Sequence, residues 1–397
     1  MSNFNIKTLN VLGTECSKEE LESTALVVMR DVIKINNCER VLIITNPDED
    51  VLAISCALYN ATEKLGGKPV IEVQPVKTLL DYAEKAVIGA ISTEPDVILS
   101  ISQNKLGKDE FGLTNPYKYE GKEFTSVFDL VMSGKKCSRG FWTPGITTDM
   151  FLRTANIDYK QLQKRCEILC AKFENAVSVH VTAPGGTDIK IPVQGRKPFS
   201  DDGCFSKGGT GGNIPAGEVF ISPVVGGSEG RIVFDGSMSL TGGDIAINEP
   251  IICDVSNGFV TAVYNAVSGQ SSPAPQESEA GKLLSSIMGS EQKARKMAQD
   301  GVFSKEKAAS YERNSRGIGE LGIGLNPAAK ITGNMLEDEK AFHTCHFAIG
   351  ENYDGDGDTF IHLDGVVRNP TIVISYADGT SFTVEKNGEL SQELQNI

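Results

Sequence analysis

The chain has 397 residues, 40 % of them hydrophobic and 23 % charged, and a formal net charge of −14 from 38 basic and 52 acidic side chains. That acidic balance argues against nucleic-acid or anionic-membrane partners, which are themselves polyanions. The length exceeds what one hydrophobic core usually organises, so two domains are expected. No apolar run approaches a bilayer span, and the N-terminal MSNFNIKTLNVLG has no basic stretch leading into an apolar one. Nine cysteines, an odd count without any Cys-x-x-Cys pair, suit a reduced, cytoplasmic protein better than a disulfide framework.

The first part of the chain alternates between two periods. ERVLIIT (39–45) is a short β-branched strand, and DEDVLAISCALYNATEKLGG (48–67) follows with helical spacing and a Gly-Gly stop. KPVIEVQP (68–75) reads as a strand, LLDYAEKAVIGAI (79–91) as a helix and PDVILSIS (95–102) as a strand. Apolar strands separated by helices predict a parallel sheet covered on both faces. The turn after the first strand reads TNPDED rather than Gly-x-Gly-x-x-Gly, so a dinucleotide site is not expected there. A helix near 158–175 ends this α/β domain, assigned to 1–175.

The pattern then changes. AVSVHVTAPGGTDIKIPVQGR (176–196) is two alternating runs around Pro-Gly-Gly and predicts a hairpin. SKGGTGGNIPAGE (206–218) lacks the Gly-Lys-Ser/Thr ending of a phosphate loop and is expected to be a flexible turn. SGQSSPAPQESEAG (268–281) reads as a mobile surface loop, and SEAGKLLSSIMGSEQKARKMAQDG (278–301) as the main helix. Residues 176–397 are therefore expected to form an α+β domain with a largely antiparallel sheet, and this domain carries the candidate site.

Successive strand residues face opposite sides, so parity sorts the polar residues. In TCHFAIG (344–350), His346, Ala348 and Gly350 share one face and Cys345, Phe347 and Ile349 the other. IHLD (361–364) points His362 and Asp364 the same way. In GELGIGLN (319–326), Leu321, Ile323 and Leu325 form an apolar face, and Glu320 shares the opposite one with Gly322, Gly324 and Asn326. A carboxylate beside glycines is expected to face something that needs space, such as an ion or ligand. GEVFISP (217–223) places Glu218 with Phe220 and Ser222. The DGDGD run (354–358) invites a calcium reading, but a loop starting at Asp354 would need Gly and Glu where Thr359 and Gly365 stand. It is expected to be a turn. Several carboxylates and two imidazoles on the polar faces of four strands suit two adjacent Zn²⁺, Co²⁺ or Mn²⁺ ions.

These segments resemble the aminopeptidase T / aminopeptidase S (thermophilic, leucyl aminopeptidase) family of metallopeptidases. NIPAGEVFISP (213–223), SRGIGELGIGLNP (315–327), LEDEKAFHTCHFAIGENY (336–353) and IHLDG (361–365) look like its motifs and occur in its order. The resemblance implies a metal-dependent aminopeptidase with a dinuclear site, ligands Glu218, Glu320, Glu339, His346, His362 and Asp364, and Tyr353 beside the metals. One of Glu218, Glu320 or Glu339 would serve as general base. A peptide substrate and a homodimer are implied with it. The Glu339 to His346 interval is longer than in the thermophilic members. Ring-cleaving dihydroxypyridine dioxygenases are similar to this aminopeptidase family in fold and use a His…His-x-Asp set, so an alternative is one iron held by His346, His362 and Asp364. A non-catalytic ligand-binding homologue is the third reading.

Overall fold

The computed structural model describes residues 17–78, 81–265, 275–395 and 397. The chain forms two compact units: Met1–Gln163 with Asp201–Ala216, and Lys164–Ser200 with Gly217–Ile397. A single boundary near 175 does not reproduce this division. The glycine-rich 206–218 segment is the reason: within it Gly211–Asn213 is extended and pairs in parallel with Arg139–Trp142, so it completes the first unit's sheet instead of forming only a turn.

The first unit is built on a five-stranded parallel sheet in the order Gly211–Asn213, Arg139–Trp142, Val97–Ile101, Arg40–Thr45, Lys68–Val73. Val97–Ile101, in the middle, is buried at all five positions, as expected of a strand covered on both faces. The helix Glu49–Lys64 starts where Asp48 accepts hydrogen bonds from the Asp50 and Val51 amides, which otherwise lack helical partners. The helix expected over 79–91 begins only at Lys85. Residues 79 and 80 lie outside the described set; just after them, the amides of Ala83 and Lys108 donate to the Lys108 and Asp81 carbonyls, which holds 81–83 in extended pairing.

The second unit contains an eight-stranded and a seven-stranded sheet. The eight-stranded sheet includes the hairpin Ala176–Thr182 and Asp188–Pro192, in antiparallel register from Ser178↔Pro192 to Thr182↔Asp188. The helix Glu279–Gln299 is capped by Ser278, so the end of the expected 268–281 loop is helical, while 268–274 lies outside the described residues. A further helix, Lys305–Asn314, has no clear sequence signature; only Ala308 and Asn314 of its residues are buried, too few to mark an apolar stripe. No described helix is long and apolar enough to cross a membrane. Eight cysteines among the described residues are free.

One core residue of this unit has a consequence for stability. Glu385, on the strand Ser381–Lys386, is buried with no hydrogen-bond partner for either carboxylate oxygen. Burial, then the charge of Glu389, raises its pKa well above the usual 4.5. The folded state therefore holds this proton more tightly than the unfolded chain does. Its favourable contribution is complete below the unfolded pKa and is lost as pH rises. Glu385→Met is expected to stabilise the protein by about 1–3 kcal/mol at pH 8, with a smaller gain at pH 4. Urea unfolding at the two pH values checks both size and direction.

Candidate metal centre

Four neighbouring antiparallel strands carry the site: Glu218–Ile221, Ile318–Gly324, Thr344–Gly350 and His362–Arg368. Their register sets the polar residues in rows. Glu218 pairs with Gly324, and Phe220 with Gly322. Gly322 also pairs with His346, and Glu320 with Ala348. Ala348 pairs in turn with Asp364, and Gly350 with His362. Directly paired residues share a face, so one face of the sheet presents Glu218, Glu320, His346, His362 and Asp364 together.

The glycines of this face do not make room for an ion. A Cβ on Gly322 would lie 2.0 Å from both Cε1 and Nε2 of His346, so the missing side chain is where the imidazole lies. At Gly324 a Cβ would meet the Ala341 carbonyl oxygen at 2.1 Å. The space inferred from the sequence is filled by the protein's own ring and backbone.

The ligand-type atoms fall into two groups, each within 4.8 Å: Glu218, Glu339 and His346, and Glu320, His362 and Asp364. The acidic turn Met335–Asp338, just before Glu339, swings that residue in from outside the sheet. His362 is held by its Nδ1, 2.8 Å from the Glu351 carbonyl. Nδ1 is therefore the protonated nitrogen, and Nε2 faces Asp364 Oδ1 at 3.2 Å and Glu320 Oε2 at 3.7 Å. A backbone carbonyl fixing one ring nitrogen so that the other can ligate is the usual outer-shell arrangement of a metal histidine. His346 Nε2 lies 2.9 Å from Glu320 Oε1 and 3.4 Å from Glu218 Oε2.

The donor set fits a cation. Glu218 Oε2 and Asp364 Oδ1 are buried and face only the His346 and His362 rings, at 3.4 and 3.2 Å, without well-aligned hydrogen bonds. Four carboxylates with unused lone pairs around two imidazoles form a hard, oxygen-rich and nitrogen-rich site, suited to Zn²⁺, Mn²⁺ or Co²⁺. Without such an ion the cluster holds protons. Burial alone would lower the His346 pKa, but the hydrogen bond to Glu320 and the charges of Glu218, Glu320 and Asp364 raise it to about 9. His362 likewise rises well above its usual value despite burial, mainly through Asp364. Burial lifts Glu339 to about 8 against the pull of Lys340. Metal uptake by Glu320, His362 and Asp364 must displace the proton on His362 Nε2, so affinity is expected to rise with pH. Calorimetric titrations in buffers of different ionisation enthalpy will show proton release; uptake without release would contradict it.

Two features are not legible in the sequence. Lys340 is wholly buried, with Nζ 2.5 Å from Glu218 Oε1 and 2.6 Å from Glu339 Oε1. In sequence it is one more charge in an acidic turn. Phe199 stacks on Phe220 at 5.3 Å between ring centroids, Tyr353 tilts against Phe220 at 5.1 Å, and its ring lies 5.3 Å from His362. These three rings form an apolar wall beside the second group. Tyr353 is 56 % exposed, so the ring edge is open to an incoming molecule.

The remaining histidines and the aspartate turn lie apart from the cluster. His343 has φ +65°, precedes the strand and bonds the Gly388 carbonyl; His180 pairs with Asp188 on the hairpin. In the 354–358 turn, Asp356 accepts from Arg196 at 2.7 Å and from Asn352 at 2.6 Å, and Asn352 also receives the Gly355 and Gly357 amides. This turn is tied to the protein's own arginine and amides.

Comparison with known proteins places the fold. The family model of 2,5-dihydroxypyridine 5,6-dioxygenase (NicX) matches residues 150–271. The structure of 2,5-dihydroxypyridine dioxygenase from Pseudomonas putida KT2440 is similar with a TM-score of 0.66 at 16 % identity, covering 96 % of this chain and 99 % of that one. Wild-type AmpT, an aminopeptidase T, from Thermus thermophilus is similar with a TM-score of 0.60 at 16 % identity, covering 94 % and 99 %. No curated protein sequence matches the chain. The chain shares the parallel and antiparallel architecture of both structures.

Proposed function

We propose that the protein is a metal-dependent hydrolase that removes N-terminal residues from peptides. The observation that carries this reading is the composition of the second ligand group: one imidazole and two carboxylates, Glu320, His362 and Asp364, with His346 turned toward Glu218 and Glu320. An iron oxygenase triad needs two histidines and one carboxylate on one ion. Here the second histidine lies between the two groups, with Nε2 2.9 Å from Glu320 Oε1 and 3.4 Å from Glu218 Oε2, among carboxylates rather than beside His362. The structural likeness to AmpT supports the peptidase reading.

A divalent ion held by Glu320, His362 and Asp364 would acidify a water and polarise a peptide carbonyl. The rest is done by side chains. Glu351 fixes the His362 tautomer through its carbonyl. Tyr353 keeps its hydroxyl proton, because partial burial and then the charges of Glu320, Asp364, Glu218 and Glu339 raise its pKa. In this reading it donates a hydrogen bond to a developing oxyanion. Glu339 has 15 % of its side-chain surface open, and accepts and returns the proton as general base. Glu320 is committed on both oxygens, toward His346 and His362, which suits a ligand rather than a base. The Phe199–Phe220–Tyr353 wall would hold the side chain of the residue removed, and the uncommitted carboxylate lone pairs would hold its free amino group.

The test is hydrolysis of aminoacyl-p-nitroanilides by chelator-treated protein before and after addition of Zn²⁺, Mn²⁺ or Co²⁺. Metal-dependent release of nitroaniline is expected, and its absence with every amino acid and metal would sink the peptidase reading. The aromatic wall and the NicX match favour a second reading, oxidative cleavage of a planar ring at one iron. Oxygen uptake with Fe²⁺ and 2,5-dihydroxypyridine would establish it.

A further inference from the structure

We propose that Lys340 takes the place of a second metal: its ammonium is the resident cation of the Glu218–Glu339–His346 group, and Glu320, His362 and Asp364 hold the only divalent ion. This rests on the site being a metal centre, not on which reaction the site performs.

The geometry points to substitution, not to a passing contact. Lys340 Nζ lies 2.5 Å from Glu218 Oε1 and 2.6 Å from Glu339 Oε1. It bridges the two carboxylates of the group that a second ion would have to bridge. The side chain is 0 % exposed, so the charge is not shared with solvent. A buried ammonium persists only when paired, and the two carboxylates supply that pairing. A divalent ion between the same oxygens would sit at contact distance from a positive charge in a low-dielectric site, where like charges repel strongly.

The backbone that carries the lysine is itself fixed. The Lys340 amide donates to the Glu337 carbonyl, and its own carbonyl accepts from the Asn326 amide, both at 2.9 Å. Just upstream, buried Asp338 accepts from the Thr332 and Gly333 amides at 2.7 and 2.8 Å, locking the turn from which Lys340 projects. The lysine stem therefore starts from a fixed backbone and ends on the two carboxylates. Nothing comparable fills the other group. Among the described residues no lysine or arginine is paired with Glu320 or Asp364, whose ion-pair partners are His346 and His362.

A fixed ammonium differs from a second metal in what it can do. It offers Glu218 and Glu339 a positive partner and donates hydrogen bonds, but it cannot coordinate a water and acidify it as a bound ligand, as a metal ion does. Water activation is thereby left to the Glu320–His362–Asp364 group.

The experiment counts ions. Full-length protein is stripped with a chelator, saturated with Zn²⁺, freed of excess by gel filtration and assayed for zinc per chain, with circular dichroism confirming the fold. The expected values are one for the wild type, two for Lys340→Ala and none for His362→Ala. Should Lys340→Ala fail to fold, Lys340→Met keeps the stem, removes the charge and is expected to bind two. Two ions in the wild type, or one in a folded Lys340 variant, would overturn the inference while leaving the hydrolase reading intact. Zero in the wild type would overturn the metal site itself. Nitroanilide turnover, measured separately, reports on the reaction alone.

Discussion

Gly322→Ala is expected to unseat His346 and destabilise the protein by about 3 kcal/mol, the upper range for forcing extra volume into a packed site. The added methyl would stand 2.0 Å from two ring atoms of His346. The strand cannot retreat, because Leu321 and Ile323 on its other face are fully buried. Nor can the ring turn aside without leaving Glu320 at 2.9 Å and Glu218 at 3.4 Å. Metal affinity should fall at least 10-fold, as when supporting contacts around a metal site are lost. The double variant Gly322→Ala/His346→Ala separates the steric effect from a general intolerance of alanine on this strand. With the imidazole gone the methyl has room, so the double variant should be more stable than Gly322→Ala alone. Urea unfolding of the wild type and the two variants checks this, and equal stability of Gly322→Ala and wild type would mean the ring does not occupy that position.

The second large effect is expected at His362. Its side chain is 23 % exposed, so removing it should leave the fold standing. His362→Ala removes the one imidazole of its ligand group. Turnover should fall by about three orders of magnitude, roughly 4 kcal/mol of barrier at 1.36 kcal/mol per tenfold. Asp364→Asn keeps the shape and removes the charge, and should fall by a similar factor. Asp356→Asn is the control: that carboxylate is bound to Arg196 and Asn352 in the turn, and its loss should leave turnover within about twofold. A drop at Asp356 as large as at Asp364 would move the chemistry out of the strand cluster and into the DGDGD turn.

Strand parity makes much of this face legible in the sequence. The period of two separates His346 from His343, and His362 with Asp364 from Ile361 and Leu363, without any knowledge of pairing. What parity cannot supply is register. That Gly322 faces His346, and not an ion, depends on which residue of one strand lies opposite which residue of the next, and no local pattern encodes it. The same limit hides Lys340. Its burial follows from the turn locked by Asp338 and from Glu218, 122 positions earlier in the chain. The aromatic wall joins Phe199 to Tyr353 across a similar span. In the first unit's parallel sheet, Arg40–Thr45, Lys68–Val73 and Val97–Ile101 are readable from their apolar runs, whereas Arg139–Trp142 and Gly211–Asn213, short and interrupted by charge or glycine, carry no strand signature.

The most direct test of the metal centre is calorimetric titration of metal-stripped protein with Zn²⁺ at pH 7.5, alongside His362→Ala. Saturable binding is expected in the wild type, accompanied by proton release, with at least 100-fold weaker binding in the variant. No saturable binding in the wild type, or equal affinity in the two proteins, would contradict a metal site built on Glu320, His362 and Asp364.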